Sequence, residues 1–511
     1  MEDTNTLPTL VAAMLTTLSA PVEMVETHIS WVLLSGDFAW KIKKAVDFGF
    51  LDFSTLERRR FFCEEELRLN RRLAPSLYLE VVSITGTPIA PILGGDGEAI
   101  EYAVKMRRFP ATAQFDDMLA RGDLKAAHLD AVAQKMAAFH RQAEIAAPDS
   151  PFGTPDAVRQ PAQQNFTQIR RSLDNPDDLV RLENLRAWSE QAFQRLSARF
   201  AQRKHEGHIR ECHGDMHLGN LAWFEGEAIP FDSLEFNENL RWVDVISEVA
   251  FLVMDLHDHG RPELAWRTLN RYLEDSGDYA GLSVLRYYLV YRALVRAKVA
   301  ALGGTQPVLA GAALARCREY LALAESFTRP AAPFLLITHG LSGSGKTTLS
   351  GQLAALLGAI RIRSDIERKR LFGLDGMARS GSPLDGGLYS PQGHRLTYQR
   401  LADLCKTVIE AGWPVIVDAA FLQRAERQAF RLLAQDLDAD YAILDLQTAP
   451  EVLRQRVAQR EKRGNDASEA TLAVLERQLL YDEALDEQER RWALSIDAGK
   501  VRLAESRIAE K

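Results

Sequence analysis

Two short segments of this 511-residue chain hold residues whose types and spacing suit phosphate chemistry. One is Gly340-Leu-Ser342-Gly343-Ser344-Gly345-Lys346-Thr347-Thr348, directly after the apolar run Phe334-Leu-Leu-Ile-Thr-His339. It fits G-x-x-x-x-G-K-[ST] in the strand–loop–helix setting that motif requires. Its glycines let the backbone wrap a phosphate with N–H groups turned inward, and the helix starting near Lys346 adds the positive end of its dipole. Lys346 is expected to reach the β- and γ-phosphates of ATP, and the Thr347 hydroxyl to ligate Mg²⁺. The other is Cys212-His213-Gly214-Asp215-Met216-His217-Leu218-Gly219-Asn220, followed by Ile229-Pro230-Phe231-Asp232. Phosphoryl transfer needs metal, charge neutralisation and an aligned hydroxyl more than covalent help. An Asp that takes the hydroxyl proton, an Asn five residues on and an Asp at the end of the next strand can supply these. Asp215, Asn220 and Asp232 have that arrangement. His213 and His217 offer a competing zinc pair at i and i+4, but Gly214 disfavours a helix there and no third ligand is evident.

Two further carboxylates end strand-like runs in the C-terminal part: Asp365 after Ala359-Ile-Arg-Ile-Arg-Ser, and Asp418 after Pro414-Val-Ile-Val. Open α/β sheets bind ligands at the carboxyl ends of strands. One of the pair suits a proton acceptor for a substrate hydroxyl, the other a Mg²⁺ site reached through water. The alternative is that each caps a following helix. Arg456, Arg460 and Arg463 recur at i, i+4 and i+7 and so share a helical face. The fixed fork of arginine suits phosphate, although a solvated charged face has the same pattern.

The elements that must position these groups divide at Ser326–Pro333, where two prolines flank two alanines before an apolar run. Prolines there stop the preceding helix. The domains are therefore expected at 1–328 and 329–511, the second able to fold and bind ATP alone. Upstream, Ile29–Leu34 and Phe38–Lys43 read as strands around Ser35-Gly36-Asp37. Leu56–Leu73 reads as a charged amphipathic helix, and Tyr78–Ile84 and Glu101–Met106 as strands. The pattern is helical from Asp116 to about Ala201, strand–loop–strand over His208–Asp232, and helical again over Val243–Phe327. This is a small strand-rich lobe and a larger helical one. Downstream, strand candidates Phe334–Thr338, Ala359–Arg363, Pro414–Val417 and Ala442–Leu446 alternate with helices, which implies a parallel sheet covered by helices.

The totals suit this division. Hydrophobic residues make up 46% and charged residues 26%, an ordinary globular balance. A net charge of −8 gives no bulk attraction to nucleic acid. Cys63, Cys212, Cys317 and Cys405 are scattered, with neither zinc spacing nor a disulfide framework, as for reduced thiols. The start, Met-Glu-Asp, lacks a basic region before the apolar stretch Leu7–Leu18, and no run reaches membrane-spanning length. A cytoplasmic protein without membrane or nucleic-acid partners is expected; the oligomeric state is open.

These motifs carry two resemblances. Residues from about Phe334 to Lys511 resemble the small P-loop kinases that include gluconate kinase-like and zeta-toxin-like proteins. The P-loop, Ser364-Asp365, Val417-Asp418 and the Arg456/Arg460 pair carry the likeness. It implies that the arginines sit in a lid over ATP, that Asp365 meets the substrate hydroxyl, and that Asp418 serves the metal. Residues 1–328, through His-Gly-Asp-x-His-x-x-Asn and a strand-end Asp, resemble the aminoglycoside phosphotransferase and choline kinase superfamily. That implies an α+β, protein-kinase-like bilobal fold with Asp215 as catalytic base and Asn220 and Asp232 on Mg²⁺. It also implies a phosphate-facing lysine, Lys41 or Lys43, which alternate onto one strand face; Lys41 fits slightly better. Its ion-pair partner is expected on the following helix, at Glu66, and the adenine hinge at Met106–Phe109. The chain departs from that family in one place: the expected Gly-rich loop reads Glu26-Thr-His-Ile-Ser30, without glycine. Thr27 and Ser30 are left as phosphate donors, and a weaker ATP site or a pseudokinase is implied. Together the halves resemble bacterial two-domain proteins that join these kinase types. The expected activity is bifunctional ATP/Mg²⁺-dependent transfer to hydroxyl groups of unidentified small polar substrates. Rival readings are an ATP-sensing half that regulates the other, a nucleotide-dependent scaffold without chemistry, and a toxin-like kinase acting on nucleotide sugars or protein.

Overall fold

The computed structural model describes residues 6–497 except 20, 50, 304–309, 377, 383–385 and 464–466. They form two compact units, 1–164 with 197–255, and 165–196 with 256–511.

The first unit is built on β1 (Val22–Glu26), β2 (Ser30–Ser35), β3 (Phe38–Lys43), β4 (Tyr78–Thr87), β5 (Ala90–Leu93) and β6 (Glu101–Arg107). They pair antiparallel in the order β1-β2-β3-β6-β4-β5. Gly36, with φ of 55°, starts the two-residue turn between β2 and β3, where a positive φ suits the twist of the flanking strands. Side chains alternate across this sheet. Leu33, Ile42, Ile84 and Ala103 pack with Leu10, Val11 and Met14 of the Thr6–Thr17 helix. Ala39, Val104 and Met106 face the other way and pack with Cys63 and Tyr78. Lys41 and Lys43 share the alternation of Ala39, so they point toward the Leu56–Arg71 helix. That helix is started by the Thr55 hydroxyl, which accepts from the Arg58 N–H, and it buries Cys63, Glu66 and Asn70. Later come β7 (Ile209–Glu211), β8 (Leu221–Phe224), β9 (Glu227–Pro230) and β10 (Trp242–Asp244). The β8–β9 hairpin turns at Glu225 and Gly226, both at positive φ.

The second unit holds a wholly parallel sheet of β11 (Phe334–His339), β12 (Ile360–Arg363), β13 (Val415–Asp418), β14 (Asp440–Gln447) and β15 (Ala493–Asp497). The order is β12-β13-β11-β14-β15. Leu336, Ile416 and Leu444 of the central strands pack with Leu349, Leu353 and Ala354 of the Lys346–Leu357 helix. The two fold classes therefore stand as expected: mixed α+β first, then an α/β P-loop sheet.

The boundary expected at 328/329 does not coincide with the division into units. The reason lies at edge strand β12. The Asn270 side chain, on the Pro262–Ser276 helix, donates to the Ala359 carbonyl at 2.9 Å and accepts from the Arg361 N–H at 2.6 Å. It therefore pairs the open edge as a neighbouring strand would. Buried Glu274 on the same helix takes the Arg361 guanidinium at 2.6 Å. Trp266 meets Trp413 edge-on at 5.3 Å, and the Trp413 indole N–H donates to the Leu282 carbonyl. Prolines at 330 and 333 do break a helix, but packing joins what they separate. Strands β1, β5, β10 and β15 escape sequence reading because they are short and, as in the mostly exposed β1, lack a buried alternating face.

Candidate functional site

In the first unit the two candidate lysines are no longer equivalent. The Lys41 ammonium lies 2.8 Å from Glu66 and 2.5 Å from Asp232, whose side chain is 45% exposed. Lys43 is fully buried between Glu66 at 2.7 Å and Glu235, below the Phe53 ring. A chain of ion pairs thus runs Asp232–Lys41–Glu66–Lys43–Glu235, open to solvent only at the Asp232 end. Burial works against these charges, and Lys41 and Lys43 nevertheless hold the Glu66 carboxyl down at about 2. Both lysines are raised despite burial, because Asp232, Glu66 and Glu235 surround them. Burial pushes Glu235 up. Glu235 was not anticipated; its signal is only its place three residues after Asp232.

Asp232 adopts φ of 62°, a region that aspartate enters more readily than most residues and that often marks functional sites. Its N–H donates to the Tyr78 hydroxyl, and the next N–H to the Asn70 side chain. The Asp215 segment is fixed from below. The Gly214 N–H donates to Glu248 at 2.7 Å, and a Cβ at Gly214 would meet the Leu240 carbonyl at 2.9 Å. Asn220 donates to the Asp215 carbonyl and carboxylate, both at 2.9 Å, so its own side-chain oxygen is turned away from that contact. His213 accepts from the Asp215 N–H at one ring nitrogen and meets the Phe231 carbonyl with the other. Burial lowers its pKa, as for a neutral ring. With both nitrogens engaged, His213 has none left for zinc. Phe109, at the expected hinge, packs against Phe231 at 5.2 Å. The Thr27 hydroxyl is spent within its own turn: it accepts from the Ser30 N–H and donates to the Ser30 carbonyl. The Ser30 hydroxyl is buried without a hydrogen-bond partner among the described residues.

The second unit encloses a cavity of about 1500 Å³ in front of the P-loop. Ser342, Gly343, Ser344, Gly345, Lys346, Thr347, Thr348, Asp365, Asp418, Arg456 and Arg460 all line it. Gly340 lies behind the loop at φ of 142°, and a Cβ there would meet the Leu446 carbonyl at 2.8 Å. The Lys346 ammonium donates to the Gly340 and Leu341 carbonyls. Burial lowers its pKa to about 8, while Asp418 and Asp365 act in the opposite direction. Ser344 Oγ and Asp418 Oδ2 are buried without a hydrogen-bond partner among the described residues. Orphaned atoms of that kind call for a ligand. A serine hydroxyl in the phosphate cradle and a buried carboxylate oxygen lining the same cavity as Thr347 fit a nucleotide with a hard cation. Neither carboxylate caps a helix: the next helix after Asp418 starts at Arg424 with Gln423 at its cap, and Arg363 caps the helix that contains Asp365. Arg456 reaches the Gly343 carbonyl at 3.3 Å and Arg460 the Ala470 carbonyl at 3.1 Å. Gln478, which accepts from the Ser342 N–H, and Arg368 were missed by sequence reading. Arg368 was legible three residues after Asp365, on the same helical face.

All four cysteines are buried, and none forms a disulfide among the described residues. No helix among the described residues is long and apolar enough to cross a membrane.

The topology and the two sites define a kinase-like α+β unit joined to a P-loop kinase-like α/β unit. A family model described as an AAA domain matches residues 335–485. Uncharacterized proteins of Mycobacterium tuberculosis and Mycobacterium bovis are 32% identical over 465 residues, covering 90% of this chain and 91% of theirs. The chain belongs to the family of these mycobacterial proteins. Among solved structures, an amicoumacin kinase is similar at 16% identity and TM-score 0.38, over 60% of this chain and 90% of its own. A gluconokinase from Sinorhizobium meliloti 1021 is similar at 21% identity and TM-score 0.24, over 35% of this chain and 86% of its own.

Proposed function

We propose that the chain is a bifunctional ATP/Mg²⁺-dependent phosphotransferase in which each unit moves a γ-phosphoryl group to a hydroxyl of a small polar molecule. The observation that carries this reading is the same grouping in both units: a lysine, a metal-competent polar set and a carboxylate able to take a proton. In the first unit these are Lys41, Asn220 with Asp232, and Asp215. In the second they are Lys346, Thr347 with Asp418, and Asp365. The acceptor oxygen forms a bond to the γ-phosphorus as the bond to the β–γ bridging oxygen breaks. That electron pair leaves with ADP, and the hydroxyl proton passes to Asp215 or Asp365. Bound Mg²⁺ would neutralise charge on the phosphate oxygens. The lysines orient the phosphates, and the P-loop N–H groups hold them, that of Ser342 by exchanging its bond to Gln478.

Incubating the protein with γ-labelled ATP and a metabolite extract, then identifying labelled products by mass spectrometry, tests the reading. Two products, one lost in Asp215→Asn and the other in Lys346→Ala, are expected. Absence of any labelled acceptor would sink it. A second reading, an ATP-sensing first unit that controls the second, is favoured by the spent Thr27 hydroxyl and the closed Lys41–Asp232 pair. It is distinguished by a single product, insensitive to Asp215→Asn.

A further inference from the structure

In β12 the alternation of side chains puts Arg361 and Arg363 on one face of the strand and Ile360 and Ile362 on the other. Both arginines meet Glu274, on the Pro262–Ser276 helix, upstream of the prolines at 330 and 333. The Glu274 side chain is only 2% exposed. Its Oε1 accepts from Arg361 Nη2 at 2.6 Å and Nε at 3.0 Å, and its Oε2 lies 3.5 Å from Arg363 Nη1. Burial works against the Glu274 charge, and the two arginines nevertheless lower its pKa. The group is therefore an anion at neutral pH.

Each arginine carries that contact on to a residue proposed above for Mg²⁺. Arg361 Nη1 donates to the Thr347 carbonyl at 2.9 Å, in the first turn of the P-loop helix. Arg363 Nε lies 3.8 Å from Asp418 Oδ2, the buried oxygen without a hydrogen-bond partner among the described residues. That separation is too long for a hydrogen bond. It is short enough for attraction in a buried setting, where charges act on each other more strongly than in water. Arg363 thus stands between two carboxylates, and Glu274 is the one that draws it away from Asp418. A hard cation is held by carboxylate oxygens, and an arginine seated on Asp418 would take its place.

We propose that Glu274 is a positioning residue for the second phosphotransfer site: it holds Arg363 off Asp418 and, through Arg361, fixes Thr347. This rests on the phosphotransferase reading above. Glu274 touches neither nucleotide nor metal in this arrangement and acts through the two arginines of β12. The helix that carries it belongs to the working apparatus of the P-loop sheet as well as covering its edge.

The test uses the full chain carrying Asp232→Ala, so that the second site is read alone. The affinity of a non-hydrolysable ATP analogue is measured calorimetrically in Mg²⁺ and in EDTA, and the ratio of the two reports how well the site receives the metal. Glu274→Gln keeps the shape of the side chain and an acceptor for Arg361 but removes the charge. It should lower the ratio about tenfold to a hundredfold, as changes to the partners of metal-binding residues do, and leave the affinity in EDTA unchanged. Adding Arg363→Gln should restore the ratio, because the cation released onto Asp418 is gone. A carboxylate that only holds the fold together would not be rescued by a second loss. An unchanged ratio in Glu274→Gln, or a lowered one that Arg363→Gln fails to restore, overturns the proposal. If Glu274→Gln does not fold, Arg363→Gln alone decides. The ratio should then hold or rise, since Asp418 loses a competitor, and a fall would overturn the proposal by showing that Arg363 supports the metal site. Failure of Mg²⁺ to tighten the analogue in the chain that keeps Glu274 would instead overturn the phosphotransferase reading of the second unit, and this one with it.

Discussion

In the first unit the charged groups suited to phosphate are paired with one another, from Asp232 through Lys41 and Glu66 to Lys43 and Glu235. In the second, Ser344 Oγ, Asp418 Oδ2 and Arg368 Nε are buried without a hydrogen-bond partner among the described residues, Asp418 Oδ2 having only Arg363 at 3.8 Å. One site is made of side chains that neutralise each other; the other is a backbone cradle with unspent polar atoms. A nucleotide entering the first must displace an ion pair, and one entering the second completes groups that lack partners. The second site should therefore bind more tightly.

The largest effects should come from removing one site at a time. Lys346→Ala is expected to abolish the second site and leave the first, and Asp232→Ala the reverse. Calorimetry with a non-hydrolysable ATP analogue, carried to millimolar ligand, should show two sites in the wild type and one in each variant. A stoichiometry of two that neither change alters would break the comparison at its root.

Buried charge gives the next test. Lys43→Met strands Glu66 and Glu235, and removing one partner of a buried pair costs about 3–5 kcal/mol. It should lower the denaturation midpoint strongly, while Lys41→Met mainly weakens nucleotide binding. In the second unit, Glu274→Ala strands Arg361 and loosens Arg363. The fragment 329–511 removes Glu274, Asn270 and Trp266 together, exposing the edge of β12 and the Trp413 indole. We expect that fragment to be insoluble, which would correct the expectation that it folds alone. A soluble, ATP-binding 329–511 fragment, or equal destabilisation by the two lysine variants, would count against this view.

Asp215→Asn should keep Asn220 and Asp232, the residues proposed to hold Mg²⁺, and lose the proposed proton acceptor. Transfer by the first unit should fall about 10²-fold or more, with nucleotide affinity unchanged in the same preparation. Wild-type turnover in this variant would move the first unit to the ATP-sensing reading.

What the sequence made legible follows from where the information lies. The P-loop is backbone chemistry written in contiguous glycines, so its place and its strand–loop–helix setting were readable at once. Asp215, Asn220 and Asp232 were readable because one short segment and the following hairpin carry them. The choice between Lys41 and Lys43 was not, because period-2 alternation puts both on one face and only the tertiary positions of Asp232 and Glu235 separate them. Glu235 was missed for the same reason. The division into units differs from the boundary expected at 328/329 because proline signals report where the chain stops being helical. Whether the helix before the prolines packs across β12 depends on Asn270, Glu274 and Trp266, which show no pattern of their own.

The smallest effect, and the most specific to the contrast between sites, is protonic. Burial lowers Lys346 from 10.5 to about 8, whereas Lys41 and Lys43 are raised by the carboxylates around them. Near pH 8 about half of Lys346 is neutral before ligand arrives. A polyphosphate favours the ammonium, so binding at the second site should take up about half a proton at pH 8 and less at pH 7. Its affinity should fall as pH rises from 8 to 9, while the first site, whose lysines stay charged there, should not respond. Stability carries the opposite sign. The unfolded chain binds the Lys346 proton more readily than the folded one, so this residue makes the fold more stable as pH rises from about 8 to 10.5. The uptake can be read by titrating Asp232→Ala, which retains the second site alone, in two buffers of different ionisation enthalpy at pH 7 and pH 8. Equal heats in the two buffers at pH 8 would mean that Lys346 is fully charged before binding, and the contrast between a spent and an unspent site would lose its electrostatic part.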